Sequence, residues 1–87
     1  MQASAEISMY PLHQNYEPPI LDFIRRLNRY PELTVKTNSM STQVFGEYEA
    51  LMSALTKEIK ISFAEEDKVS MVIKLLNADL KADYQPQ

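Results

Sequence analysis

The stretch Leu33-Thr34-Val35-Lys36-Thr37-Asn38-Ser39-Met40-Ser41-Thr42-Gln43-Val44-Phe45-Gly46 decides the fold. Residues 33–37 and 41–45 are rich in β-branched and aromatic side chains and are parted by Asn38-Ser39-Met40, so they predict two strands joined by a short hairpin loop. Val35 and Val44 are expected to face the core. Gly46 is expected to relieve a turn into a following helix, whose dipole-positive start is marked by Glu47 and Glu49. Tyr48, Leu51, Met52, Leu55 and Ile59 then form the apolar stripe of that helix.

Outward from this centre the same logic runs in both directions. Glu17-Pro18-Pro19 opens an earlier helix, because prolines in a first turn lack only N–H groups that would have had no intrahelical partner. Ile20, Phe23, Ile24 and Leu27 follow at i, i+3, i+4 and i+7, with Arg25, Arg26 and Arg29 expected on the solvent side and Pro31 closing the element. Residues 5–12 alternate, with Ile7 and Met9 on one face and Ser8 and Tyr10 on the other, as a half-buried strand requires. Beyond the acidic run Glu65-Glu66-Asp67, residues 68–76 alternate again as a last strand. The tail, 77–87, has no period.

The order strand, helix, strand, strand, helix, strand is the split βαβ of ferredoxin-like domains. The expectation is a single α+β domain over 1–87, a sandwich with a four-stranded antiparallel sheet and both helices on one face. The opposite face would carry Ser8, Tyr10, Lys36, Asn38, Ser41, Gln43, Phe45, Ser70, Val72, Lys74 and Leu76. An apolar face without helices is commonly covered by another subunit, which predicts a homodimer or homotetramer.

Composition narrows the function. Nine Lys and Arg against twelve Asp and Glu give a net charge of −3 and a pI near 5.0, the wrong sign for a protein that binds phosphate backbones. No nucleic acid partner is expected. The 87 residues contain no cysteine, which removes disulfides and thiolate metal sites. With one glycine there is no phosphate-cradling loop, and no GxSxG or HExxH motif occurs. The lone His13 has no second ligand or nucleophile near it in sequence, and consecutive acids such as Glu65-Glu66-Asp67 seldom converge on one cation. An acylphosphatase-like reading fails because all three arginines fall inside the first helix. An RNA-recognition reading fails because Tyr10 and Phe45 are too few strand aromatics and the charge is of the wrong sign. These observations predict a protein that is not an enzyme and uses neither cofactor nor metal. No apolar run is long enough to span a bilayer, and the expected location is cytoplasmic.

The densest polar cluster, Lys36-Thr37-Asn38-Ser39-Met40-Ser41-Thr42-Gln43, carries six neutral hydrogen-bonding side chains, which suit a neutral or weakly charged heterocycle. The same side chains would also serve an ordinary polar hairpin. The segment Lys36-Thr37-Asn38-Ser39-Met40-Ser41-Thr42 followed by Gly46, together with Ser8-Met9-Tyr10-Pro11-Leu12, resembles the YkoF-like family of thiamine and hydroxymethylpyrimidine-binding proteins. The resemblance implies a ferredoxin-like subunit, paired with others, that binds thiamine or its hydroxymethylpyrimidine moiety in thiamine salvage or transport. It implies a ligand site drawn from Ser8, Tyr10, Thr37, Asn38, Ser41, Thr42, Gln43, Phe45 and Glu47. In it amides and hydroxyls meet an aminopyrimidine, Tyr10 or Phe45 stacks on its ring, and Glu47 or Glu6 faces a thiazolium. The competing expectation is an ACT-like oligomeric regulatory module that binds an amino acid or nothing.

Overall fold

The structure, a computed structural model, describes residues 1–82. It consists of β1 (Gln2–Pro11), α1 (Glu17–Leu27), β2 (Thr34–Thr37), β3 (Thr42–Glu47), α2 (Tyr48–Glu65) and β4 (Val69–Leu76). The four strands form one antiparallel sheet in the order β2-β3-β1-β4. This is the expected α+β ferredoxin-like arrangement.

The register explains the two faces. Ala5 pairs with Val44 and Leu75, and Val44 pairs with Val35, so these side chains share one face. Ala3, Ala5, Ile7 and Val44 on it are buried against Phe23 and Leu27 of α1 and Leu51, Ala54 and Leu55 of α2. β1 begins earlier than residue 5 because Ala3 continues the row of Ala5 and Ile7, and small side chains let the helices approach closely.

Three details depart from the sequence expectation. Gly46 makes no turn: it lies within β3, and a Cβ there would stand 2.6 Å from Leu33 Cδ2, so the position is empty to admit Leu33. Arg26 is not on the solvent side. It is buried between the helices, where Nη1 donates to the carbonyl and Oε1 of Glu58, both at 3.0 Å, and Nη2 donates to Ser62 Oγ. The buried stripe of α2 therefore runs through Leu51, Ala54, Leu55, Glu58 and Ser62, while Tyr48 is exposed.

The helix-free face is also less open than expected. Residues 77–82 of the tail cross it, held where Ser4 Oγ donates to the Ala78 carbonyl at 2.6 Å and accepts from Leu80 N–H at 3.0 Å. Lys36 Nζ donates to the Lys81 carbonyl and lies 5.9 Å above the Phe45 ring. Phe45 is buried although it belongs to the helix-free face. The remainder of the expected irregular tail, 83–87, lies outside the described residues. Among the described residues, no helix is long and apolar enough to cross a membrane.

Candidate functional site

The site follows from where two strands stop pairing. The β1–β3 ladder ends at Ile7↔Thr42, while β1 continues to Pro11 beside β4. Backbone groups alternate sides along an antiparallel strand. Leu12 N–H donates to the Lys68 carbonyl at 3.0 Å, so even residues of β1 turn their backbone groups toward β4 and odd ones toward β3. Met9 thus directs an N–H and a C=O toward the side that β3 has left.

That gap is a cavity of about 440 Å³, closed on the helix side by the start of α1. Six sequence-selected residues line it together: Ser8 and Tyr10 from β1, Thr37 from β2, Asn38 and Ser41 from the hairpin, and Thr42 from β3. Its apolar wall comes from Ile7, Met9, Ile20, Phe23 and Ile24. Every lining side chain is uncharged, so the cavity offers hydroxyls, an amide and hydrocarbon but no counter-charge. Such a mixture holds a small, flat, neutral heterocycle.

The individual groups differ in how free they are. Asn38 Oδ1 accepts from the N–H groups of Met40 and Ser41 at 2.8 and 3.0 Å, an Asx turn that shapes the hairpin and leaves the side-chain NH₂ for other partners. Ser41 Oγ donates to Glu6 Oε2 at 3.0 Å. Thr37 and Thr42 hydroxyls face each other at 3.4 Å. Tyr10 is 53% exposed at the rim.

Gln43 and Phe45 do not join this group. Alternation along β3 points them at the helix-free face, where they line a second cavity of about 760 Å³ beneath the C-terminal segment. Glu47 belongs to neither cavity. It caps α2, accepting from Glu49 N–H at 2.8 Å and Ala50 N–H at 3.3 Å, with the N-terminal ammonium 3.5 Å away. Desolvation raises its pKa, but those N–H groups and the ammonium outweigh it and hold the carboxyl below the usual carboxylate range. His13 pairs with Glu66 at 2.7 Å, which takes one carboxylate out of the acidic run.

The sequence reading missed Tyr16, Ile20 and Ile24 as lining residues. The available signal was that Tyr16 and Ile20 flank the Glu17-Pro18-Pro19 helix start, the part of α1 nearest any gap at the sheet's end.

No protein-family profile matches the chain, and no curated protein matches it by sequence. Solved structures do. A hypothetical protein from Methanocaldococcus jannascii superposes with a TM-score of 0.76 at 22% identity, over 95% of this chain and 87% of that one. A Thermotoga maritima protein provisionally assigned to thiamine biosynthesis or salvage gives 0.78 at 14% identity, over 93% and 85%. A domain of unknown function from Bacillus cereus gives 0.67 at 14%, over 97% and 83%. The chain shares their fold. At these identities the likeness concerns backbone architecture, including the four-stranded sheet whose end forms the cavity.

Proposed function

We propose that this chain is a non-enzymatic binding protein of the YkoF-like kind, taking thiamine or its hydroxymethylpyrimidine moiety in thiamine salvage or transport in the cytoplasm. The observation that carries the reading is the uncharged cavity at the sheet's end, lined by Ser8, Tyr10, Thr37, Asn38, Ser41 and Thr42. An aminopyrimidine has ring-nitrogen acceptors and an exocyclic amine donor. The hydroxyls, the Asn38 NH₂ and the Met9 backbone groups turned toward the gap match that set. A fold neighbour assigned provisionally to thiamine metabolism supports the same ligand class.

The missing counter-charge favours the neutral pyrimidine over the thiazolium as the group inside the cavity. It also disfavours the amino-acid reading, because a free carboxylate buried there would have no cation to meet.

Calorimetry against hydroxymethylpyrimidine, thiamine and thiamine diphosphate tests the proposal. Saturable binding at micromolar affinity, about −8 kcal/mol, is expected for the pyrimidine. Tyr10→Ala should weaken it about tenfold, or roughly 1.4 kcal/mol. The unfolding midpoint should hold, since the ring is half exposed. Absence of heat with all three compounds would overturn the reading.

A further inference from the structure

The register sets one row of side chains across the helix-free face. Lys36 pairs with Gln43, Gln43 with Glu6, and Glu6 with Lys74, so a cation, an amide, an anion and a second cation stand side by side on the four strands. The neighbouring row on the same face is Phe45, Ser4 and Leu76. A charged row therefore lies beside an apolar one, and the segment 77–82 is clasped over the latter through Ser4. The two rows and the segment enclose the cavity of about 760 Å³, to which the segment adds Asp79, Leu80 and Lys81. Its size is that of a small-molecule site. It shares no lining residue with the cavity at the sheet's end.

We propose that this cavity is a second binding site, for a zwitterionic α-amino acid with a large apolar side chain, separate from the ligand at the sheet's end. The charges decide the head group. Lys74 Nζ stands 3.5 Å from Glu6 Oε1, a loose pair between side chains 81% and 40% exposed, and exposed pairs of this kind hold weakly. An α-amino acid carries its ammonium and its carboxylate on one carbon, so it can enter between the two, ammonium on Glu6 and carboxylate on Lys74. One weak ion pair is exchanged for two, and no charge is left without a partner. A simple carboxylate or phosphate would meet Lys74 but also face Glu6, and a simple amine would do the reverse. Glu6 keeps its place during the exchange because its other oxygen, Oε2, accepts from Ser41 Oγ at 3.0 Å. On the segment above, Lys81 and Asp79 already satisfy each other at 2.7 Å and leave the head group to the sheet.

Two further features fit the same ligand. The Gln43 side-chain amide, next to Glu6 in the charged row, has no hydrogen-bond partner among the described residues. It offers an acceptor to the ammonium and a donor to the carboxylate. The apolar row then decides the side chain. Leu76 and Leu80, 41% and 57% exposed, border the cavity with Phe45, so a bulky hydrocarbon or ring gains by covering them. A glycine or alanine ligand would leave that surface in water.

Titration of the full chain with L-phenylalanine, followed by amide chemical shifts, tests the site. Saturable binding with a Kd of about 1 mM or tighter is expected, with shifts at the Gln43 side-chain amide and the Leu80 and Lys81 backbone amides. Phenylpropionate and phenethylamine, each lacking one charge of the head group, should bind at least about tenfold more weakly. Lys74→Gln and Glu6→Gln should each weaken L-phenylalanine about tenfold. Both variants should stay folded, since Lys74 is exposed and Glu6→Gln keeps an acceptor for Ser41 Oγ. Failure of L-phenylalanine to saturate the protein would overturn the proposal. So would equal affinity for either single-charge analogue, unchanged affinity in both variants, or shifts confined to Thr37, Asn38 and Ser41, which would put the ligand in the other cavity.

Discussion

Arg26 shows how much a single side chain contributes to the helix pair. Its guanidinium meets Glu58 and Ser62, and Nε lies 3.3 Å from Asp22 Oδ2 without the alignment of a hydrogen bond. Tyr30 completes the cluster by donating its hydroxyl to Glu58 Oε2. Removing one member of a buried pair leaves the other charge unpaired, at a cost of about 3–5 kcal/mol, whereas replacing both with hydrocarbon can be neutral. Arg26→Met should thus unfold at far lower denaturant than Arg26→Met combined with Glu58→Leu; equal losses would contradict the pairing. Tyr30 reports on the same cluster from the alkaline side. Its hydrogen bond to Glu58, helped by burial and by the charge of Glu58, pushes its pKa from 10.0 up to about 12. A raised folded-state value means that its contribution to stability is intact below pH 10.0 and vanishes as the pH rises through about 12. Phenolate absorbance should show one tyrosine ionising near pH 12, and Tyr30→Phe should delete that step. A titration unchanged by Tyr30→Phe would refute the assignment. At Gly46 the collision is steric: an added Cβ meets Leu33 Cδ2 at 2.6 Å and the Glu32 carbonyl at 3.4 Å. Gly46→Ala should cost ~1–3 kcal/mol in denaturant unfolding, as overpacking does; a neutral result would mean that Leu33 rotates away freely.

Among the elements, the segment 77–82 is the one that the helix-free face depends on. Ser4 Oγ is its clasp, donating to Ala78 and accepting from Leu80. Ser4→Ala removes both bonds and should cost roughly 1–3 kcal/mol. Hydrogen exchange gives the sharper readout, since the Leu80 amide should lose protection while the β1–β3 ladder keeps its own. Retained protection at Leu80 would show that packing on Phe45, not the hydroxyl, holds the segment. This clasp is invisible in the sequence, because Ser4 precedes the strand expected over 5–12 and its partners lie 74 and 76 residues away. The elements themselves are legible. Alternation gives Ile7 and Met9 their face, and 3.6-residue spacing gives Phe23, Leu27, Leu51 and Leu55 theirs. What periodicity misreads is a charge inside a stripe: Arg26 lies between Phe23 and Leu27 yet reads as solvent-facing, since its partner Glu58 stands 32 residues on. The site is legible in its polar half. Thr37, Asn38, Ser41 and Thr42 fall within one short stretch, but the gap that they border exists only because β1 outruns β3 after Ile7, a long-range register that no local pattern encodes.

At the scale of the whole molecule, the cavity and the β4 edge occupy separate places. The cavity lies at the end of the sheet between β1, the hairpin and α1, whereas β4 runs along the opposite flank of β1. The coupling of the cavity to stability should therefore be measurable on its own. Ligand binding to the folded state alone adds about 2.7 kcal/mol at a hundredfold excess over Kd, which for a domain of this length moves the thermal midpoint by roughly 10 °C or more. Thermal unfolding across a series of hydroxymethylpyrimidine concentrations should show this rise, and Tyr10→Ala should shrink it at a fixed ligand concentration. Were the rise to be the same in Tyr10→Ala, the ligand would have to sit away from the Tyr10 rim, and the end of the sheet would not be its site.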